Sequence, residues 1–297
     1  MTSDAPLPLT PATPTTLVVV GFPKSGNTWL TRLLADALNA PVLDRWLDGH
    51  IEFASDVNRH LREPHHPSVR VAKLHDLPEV FAQRGIDGPM RFVYVHRDPR
   101  DVAVSAFFHF TKWQDATVRS LLQSRSLGPW GTWQRGRVRR AIRSFVRRFA
   151  TRGIARLEQR IGRWDRHVRA WITAEHPIIP VSYEELLADT PRTLGRVTAA
   201  LQLPGCGTAD VAGAAARQAF GAVKRSFEQA DGDDAIPLGR DFGMRFMRRG
   251  AIGDWRTFLE RDEVDLIRAR FAEVFNQLGY NRDWRDAAVV ERLEAAA

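Results

Sequence analysis

Leu17-Val-Val-Val-Gly-Phe-Pro-Lys-Ser-Gly-Asn-Thr-Trp, residues 17–29, decides how the rest of the chain is read. Its β-branched run suits a short strand buried on both faces, as in a parallel sheet, and Gly21 ends that strand. From Thr28 to Leu38, Trp29, Leu30, Leu33, Leu34, Ala37 and Leu38 recur at helical spacing. A strand, a turn containing Gly and Pro, and then a helix leave unpaired backbone N–H groups at the positive end of the helix dipole. Such a turn is a ready anion site. Lys24 adds a full charge there, and Ser25 and Thr28 add hydroxyl donors. Against the triphosphate loop G-x-x-x-x-G-K-[ST], Gly21, Gly26 and Thr28 fit, but Asn27 stands at the lysine position and the lysine has moved to position 24. The stretch reads as a phosphate loop of a different kind from a kinase loop. The plain alternative is a Gly/Pro turn with a solvated lysine.

Working outward, Val69 to Leu74, Phe92 to Val95 and Ile178 to Val181 read as further strands. Asp98 opens a helix with Pro99 at its first position, where the missing N–H has no partner to lose. Helices are expected near 183–188 and 190–202, and an amphipathic one from about Glu263 to Leu278. Strands alternating with helices imply an α/β fold of three layers, α/β/α, around a central parallel sheet. Residues 1–16, with Pro6, Pro8, Pro11 and Pro14 among Thr and Ala, read as a disordered tail. The remainder, 17–297, reads as a single domain without internal repeats. Residues 228–250 lack periodicity and read as a long loop.

An apolar fraction of 44% over 297 residues is enough for a sizeable core and excludes disorder for the bulk of the chain. The formal net charge of +8 is concentrated. Residues 135–169 hold 13 arginines and no lysine against Glu158 and Asp165, a local +11 that leaves the rest at −3. Cys206 is the single cysteine, so no intrachain disulfide is possible, and its Pro/Gly-flanked loop suggests an inert thiol. No apolar leader-like segment precedes Lys24, and runs such as Leu17 to Val20 are too short to span a bilayer. The chain reads as soluble and cytoplasmic.

Three ordered blocks carry a resemblance. Pro23-Lys-Ser-Gly-Asn-Thr-Trp resembles the 5′-phosphosulfate loop of sulfotransferases that use PAPS (3′-phosphoadenosine-5′-phosphosulfate), where the family usually has Thr in place of Asn27. Val93-Tyr-Val-His-Arg-Asp-Pro-Arg-Asp-Val-Ala-Val-Ser resembles the strand–helix block that holds the donor's 3′-phosphate. Arg248-Arg-Gly-Ala-Ile-Gly-Asp-Trp resembles the family's C-terminal R-K-G-x-x-G-D-W block. The resemblance implies a cytosolic-type sulfotransferase with a P-loop-like phosphosulfate-binding loop, PAPS as co-substrate, PAP as product and no metal. By the same resemblance Lys24, Ser25, Gly26, Asn27 and Thr28 hold the 5′-phosphosulfate, and Arg97, Ser105, Arg248, Arg249 and the Gly250 amide clamp the 3′-phosphate. Trp29 and Phe227 would stack on adenine with Tyr183 nearby, Ser226 joins the donor contacts, and Ser105 also restrains Lys24 until an acceptor arrives. Taken singly, the arginine pairs could be a salt-bridged turn and a solvated loop, and the aromatics plain core residues.

Sulfuryl transfer needs a base for the acceptor hydroxyl, cations for the charge moving onto the leaving phosphate, and an in-line arrangement. Among nine histidines, His75 in Val71-Ala-Lys-Leu-His-Asp-Leu-Pro is the candidate base, with Lys24 and Lys73 as the cations. The family carries K-T-H-L-P here. This chain is one residue longer, which leaves Asp76 as a helix N-cap or an orienting partner. The acceptor is a hydroxyl on a small molecule, glycan or lipid, met by residues 40–68 and 111–165. A kinase would want a lysine at position 27. A protein that only binds nucleic acid or another polyanion would leave the three blocks without a purpose, so no nucleic-acid partner is expected.

The Arg-rich segment is read independently of the family. Val138, Ile142, Phe145, Val146 and Phe149 fall at helical spacing with Arg139, Arg140, Arg143, Arg147 and Arg148 between them. Gly153 interrupts the pattern, and a second helix through Ile154, Leu157, Ile161, Trp164, Val168 and Trp171 comes after it. The charge density predicts a lid or docking surface for an anionic acceptor, with an anionic membrane surface as the alternative and a solvated helix face as the bland reading.

Overall fold

Short β-branched runs form four strands, β1 (Thr15–Val20), β2 (Val69–Leu74), β3 (Met90–His96) and β4 (Ile178–Ser182), in one sheet ordered β2-β1-β3-β4 with every pair parallel. The structure, a computed structural model, describes residues 14–43, 58, 61–63, 65–66, 68–84, 88–203, 209–229 and 248–281. Residues 1–13 of the expected tail, Cys206, much of the expected acceptor-side stretch 40–68 and residues 230–247 of the expected loop lie outside the described residues. So do the side chains of Ser226 and Phe227. Residues Thr15 and Thr16 were expected in the tail. They instead begin β1, pairing with Val69 and Arg70.

Both faces of the sheet are buried, as continuous apolar strands require. Val18, Val20, Ala72, Leu74, Phe92 and Tyr94 point to one helical layer, and Leu17, Val19, Val71, Val93, Val95 and Val181 to the other. The helices are α1 (Asn27–Leu38), α2 (Pro99–Phe110), α3 (Asp115–Gln123), α4 (Pro129–Thr151), α5 (Trp164–Ile172), α6 (Tyr183–Ala188), α7 (Thr190–Leu201), α8 (Val211–Arg217), α9 (Phe220–Gln229), α10 (Arg261–Arg270) and α11 (Ala272–Gln277), with single turns at Pro78–Phe81, Glu158–Ile161 and Trp255–Phe258. No helix among the described residues is long and apolar enough to cross a membrane.

Three helical expectations are corrected. Gly153 (φ +97°) does end α4, but Gly162 (φ +63°) is a second left-handed break, so the next helix starts at Trp164 and not at Ile154. The expected C-terminal helix is two helices separated at Phe271, whose φ −112° and ψ 17° leave the helical region. Helix α9 carries regular structure as far as Gln229, into the expected loop.

Register places the site. Val20 lies opposite both Leu74 and Tyr94, and His96 opposite Ser182. The four strands therefore finish along one edge and deliver Gly21, His75, Arg97 and Tyr183 side by side. The chain leaves β1 for β2 on one side and then crosses to β3 on the other. The carboxyl ends of β1 and β3 flank this switch in direction, which is where open parallel sheets bind ligands.

Candidate active site

The loop after β1 is held in an unusual backbone shape. Lys24 has φ +72°, a left-handed conformation that costs a non-glycine residue about 1–2 kcal/mol, so the surroundings must impose it. Two contacts do so: Ser25 N–H donates to the Phe22 carbonyl at 3.2 Å, and Arg97 donates to the Lys24 carbonyl at 3.4 Å. Gly26 (φ +104°) precedes α1, and a Cβ there would sit 2.7 Å from the Tyr183 ring. A side chain at this position would push Tyr183 off the loop.

Four cations converge on this loop. Burial, then Lys73, Arg97 and Arg248, push the Lys24 ammonium from its ordinary range down to about 7. Lys73 Nζ donates to Thr28 Oγ1 at 3.3 Å. Arg97 donates to the Ala251 carbonyl at 2.8 Å and lies 4.2 Å over the Tyr183 ring, which joins the block beginning at Arg248 to the end of β3. Arg248 itself pairs with Asp115 and Asp254, each at 2.6 Å, while Arg249 is exposed. Ser105 stands half-buried on α2.

Some donors here meet nothing among the described residues. The buried Ser25 hydroxyl, Arg97 Nε and Arg248 Nε have no hydrogen-bond partner among the described residues. Buried polar groups are nearly always paired, so unpaired donors among clustered cations are what a bound anion would satisfy. The chemistry of the donor set therefore fits a nucleotide phosphosulfate. Asn27 differs from the rest of the expected donor contacts, because its amide already donates across the loop to the Phe22 carbonyl at 3.0 Å. Trp29 donates through Nε1 to the Gln218 carbonyl at 2.8 Å and meets Tyr183 edge-to-face, with ring centroids 5.8 Å apart. These two rings form an aromatic wall beside the loop.

His75 follows β2 at the same edge of the sheet as the loop after β1. Its Nδ1 is 2.8 Å from the Gly21 carbonyl. A carbonyl only accepts, so Nδ1 carries the proton and the basic lone pair resides on Nε2. The backbone behind it is locked. His167 Nε2 donates to the His75 carbonyl at 2.9 Å, and Trp171 Nε1 to the Asp76 carbonyl at 2.9 Å. Leu77 N–H donates to the Arg160 carbonyl at 2.9 Å. Tyr94 O–H in turn donates to His167 Nδ1 at 2.9 Å, and burial pushes His167 down to about 4, which keeps it neutral. Asp76, the extra residue, is fully buried with its carboxylate ion-paired to Arg160, and the next turn is capped at Leu77. Asp76 is therefore not the N-cap.

Sequence reasoning missed two carboxylates. Asp101 accepts from the N–H groups of Gly253 (2.7 Å) and Trp255 (3.0 Å), which pins the C-terminal block over α2. Burial pushes its carboxyl up to about 6 despite Arg97. Glu184 accepts from Asp98 N–H (2.9 Å) and Tyr280 O–H (3.0 Å), and burial pushes it up to about 7. Both were in view, as the second Asp of His96-Arg-Asp-Pro-Arg-Asp and the residue after Tyr183. Their partners, the Gly253, Trp255 and Asp98 N–H groups and the Tyr280 hydroxyl, lie 86 to 154 positions away in the chain, where local spacing does not reach.

Part of the Arg-rich helix is paired within the chain. Arg139 donates to the Phe258 carbonyl at 2.9 Å and pairs with Glu260 at 3.1 Å, and Arg143 pairs with Glu260 (3.1 Å) and Glu263 (3.4 Å). The charge of these two arginines is offset by the chain's own carboxylates, while Arg140 between them is exposed.

The family model of the sulfotransferase domain matches residues 14–279. Bovine (Bos taurus) sulfotransferase 1A1 is 25% identical over 285 residues, covering 90% of this chain and 86% of that one. Mouse (Mus musculus) sulfotransferase 1B1 is 22% identical over 280 residues, covering 86% and 80%. Among solved structures, mouse sulfotransferase SULT7A1 in complex with PAP matches with a TM-score of 0.54 at 17% identity, over 94% of this chain and 89% of that one. Retinol dehydratase in complex with androsterone and inactive cofactor PAP matches with a TM-score of 0.54 at 20% identity, over 89% and 82%. These two likenesses are likenesses of fold.

Proposed function

The chain belongs to the sulfotransferase family and is a PAPS-dependent enzyme, and we propose that it sulfates a hydroxyl with His75 as the general base. The observation that carries this reading is the 2.8 Å bond from His75 Nδ1 to the Gly21 carbonyl. It fixes the tautomer and hangs the base on the same loop that carries Lys24. His75 Nε2 takes the hydroxyl proton as the acceptor oxygen bonds to sulfur and the bond from sulfur to the phosphate oxygen breaks. Lys24 and Lys73 offset the charge arriving on that phosphate oxygen without needing to reorganise. Bound phosphates hold the proton that burial loosens on Lys24, so the group is fully charged when it is needed.

Ser25, Gly26 and Thr28 would hold the 5′-phosphosulfate, and Arg97, Ser105, Arg248, Arg249 and Gly250 the 3′-phosphate. Trp29 and Tyr183 would flank adenine. PAPS supplies the sulfuryl group, and PAP leaves as the product. The acceptor we propose is a small-molecule hydroxyl. An anionic acceptor held by Arg139 and Arg143 has lost support, since both are satisfied internally. The compartment we propose is the cytoplasm, in keeping with a single cysteine and the resemblance to cytosolic-type enzymes.

Two measurements test the reading. PAP should raise the melting temperature far more than 5′-AMP, because the extra phosphate meets several cations and stabilisation tracks affinity. Equal shifts would overturn the donor assignment. His75→Ala should lower turnover by about 10²–10⁴-fold while PAP affinity stays near that of the parent. Near-parental turnover would remove His75 from the role.

A further inference from the structure

Residues 116–157 contain 11 arginines and no Asp, Glu or Lys. The fold divides those arginines into two sets. Arg119, Arg139, Arg143 and Arg148 pair with carboxylates of the chain, and Arg135 donates to the Leu121 and Ser124 carbonyls. The side chains of Arg125, Arg137, Arg140, Arg147, Arg152 and Arg156 are exposed and have no carboxylate partner among the described residues, and three of them, Arg137, Arg140 and Arg147, lie on α4.

The three on α4 share one face. At about 100° per residue, Trp130, Trp133, Arg137, Arg140 and Arg147 fall within one arc of roughly 100°. The buried stripe of Val138, Ile142, Val146 and Phe149 lies opposite. The outer stripe runs along most of a helix of 23 residues, about 35 Å long. Its amino-terminal end carries two of the three exposed large apolar side chains among the described residues, Trp130 at 69% and Trp133 at 47% exposure. The two indoles stack on each other with centroids 4.6 Å apart, and the Arg137 guanidinium lies 4.8 Å from the Trp133 ring centre.

We propose that this stripe is a docking surface for an anionic lipid bilayer, with the arginines against the headgroups and the Trp130–Trp133 pair seated in the interface. Indoles concentrate at the boundary between water and hydrocarbon, and rows of basic residues are attracted to anionic leaflets. A soluble polyanion would engage the arginines and leave the indoles in water. A stacked base or sugar would compete at Trp133 with Trp130, one turn before it, and Arg137, one turn after. The attachment is peripheral, since the apolar stripe of α4 is spent on the core. It is independent of the sulfotransferase reading.

The test is co-sedimentation of the full chain with vesicles of phosphatidylcholine alone and of phosphatidylcholine mixed with phosphatidylserine. Binding is expected to the mixed vesicles only, to weaken with salt, and to shift tryptophan emission to the blue. Arg137→Gln/Arg140→Gln/Arg147→Gln should weaken binding about a hundredfold. Arg91→Gln/Arg192→Gln/Arg270→Gln removes the same charge from exposed positions elsewhere and should weaken it far less. Trp130→Ala/Trp133→Ala should abolish the blue shift. The proposal is overturned by equal losses in the two triple variants, by equal binding to neutral vesicles, by an unchanged blue shift without the indoles, or by retention on heparin with no vesicle binding.

Discussion

Two groups of arginine sit at opposite ends of the same physical scale. At the edge of the sheet, Arg97 and Arg248 are largely buried, and each keeps a buried Nε without a partner among the described residues. On α4, Arg139 and Arg143 are more exposed and already spend their donors on Phe258, Glu260 and Glu263. Counted along the chain, the helix is by far the more basic region. Counted by unmet hydrogen-bonding capacity in a dry setting, the sheet edge is the stronger anion site, because charge–charge energies rise steeply as water is excluded. Local charge density thus picked out a helix, while burial and missing partners pick out the sheet edge proposed as the donor site.

The sharpest way to break this contrast is Arg97→Ala. Removing one member of a buried charge cluster should weaken PAP roughly a hundredfold or more. Titration calorimetry with PAP and 5′-AMP separates this from a collapsed loop, since the 5′-AMP affinity should fall far less. Equal losses for both ligands would mean that Arg97 serves only to hold the Lys24 and Ala251 carbonyls.

The next effect is on pH. Lys24 is a cation whose pKa in the fold, about 7, lies below its ordinary 10.5, so the free protein loses this charge as pH rises through neutrality. Phosphates in the site would keep it charged, so binding takes up a proton above pH 7. PAP affinity should therefore fall with rising pH by up to about tenfold per unit. The same group acts in the opposite direction on folding. Between about pH 7 and 10.5 the unfolded chain holds the proton and the fold does not, so this contribution to stability rises with pH. Lys24→Arg, charged throughout, should flatten the binding profile. A slope that survives Lys24→Arg would assign it to another group.

Much of this was legible in the sequence, and the boundary is physical. Val69 to Leu74 and the Asp98–Pro99 helix start are set by local runs, caps and proline geometry. The placement of His75 and of the loop after β1 at one edge of the sheet was legible because the end of a parallel strand fixes where its next residues emerge. The pairing of Arg139 and Arg143 with Glu260 and Glu263 was not, because it joins residues about 120 positions apart. Nor could spacing show that Asp76, Arg160, His167 and Trp171 form the clamp behind His75. The arginine segment carries a buried structural duty there that its charge count concealed.

A smaller effect should come from Ser25→Ala. The Ser25 hydroxyl is fully buried and has no partner among the described residues, so its loss should leave the melting temperature of the free protein unchanged or slightly higher. PAP affinity should fall by a factor of up to about ten, the worth of one hydrogen bond. Opposite signs for stability and binding would mark it as a group held ready for a ligand. A clear loss of stability would give it an internal partner instead.

The smallest effect is expected where the sequence is most charged. Arg139→Gln/Arg143→Gln removes two cations from the helix that first looked like the acceptor's dock. Arg143 and Glu260 are mostly solvent-accessible, with side chains 57% and 43% exposed, so their ion pair is screened by water and salt. Arg139 is tied more firmly, through the Phe258 carbonyl, yet Gln at that position can still donate one hydrogen bond. Melting should move by no more than a few degrees, and PAP affinity should stay as it was. The discriminating readout is the acceptor KM and its dependence on ionic strength. If these two arginines serve only Glu260, Glu263 and Phe258, neither quantity changes. A raised KM that loses its salt dependence would return Arg139 and Arg143 to the acceptor and erase the contrast between the two regions.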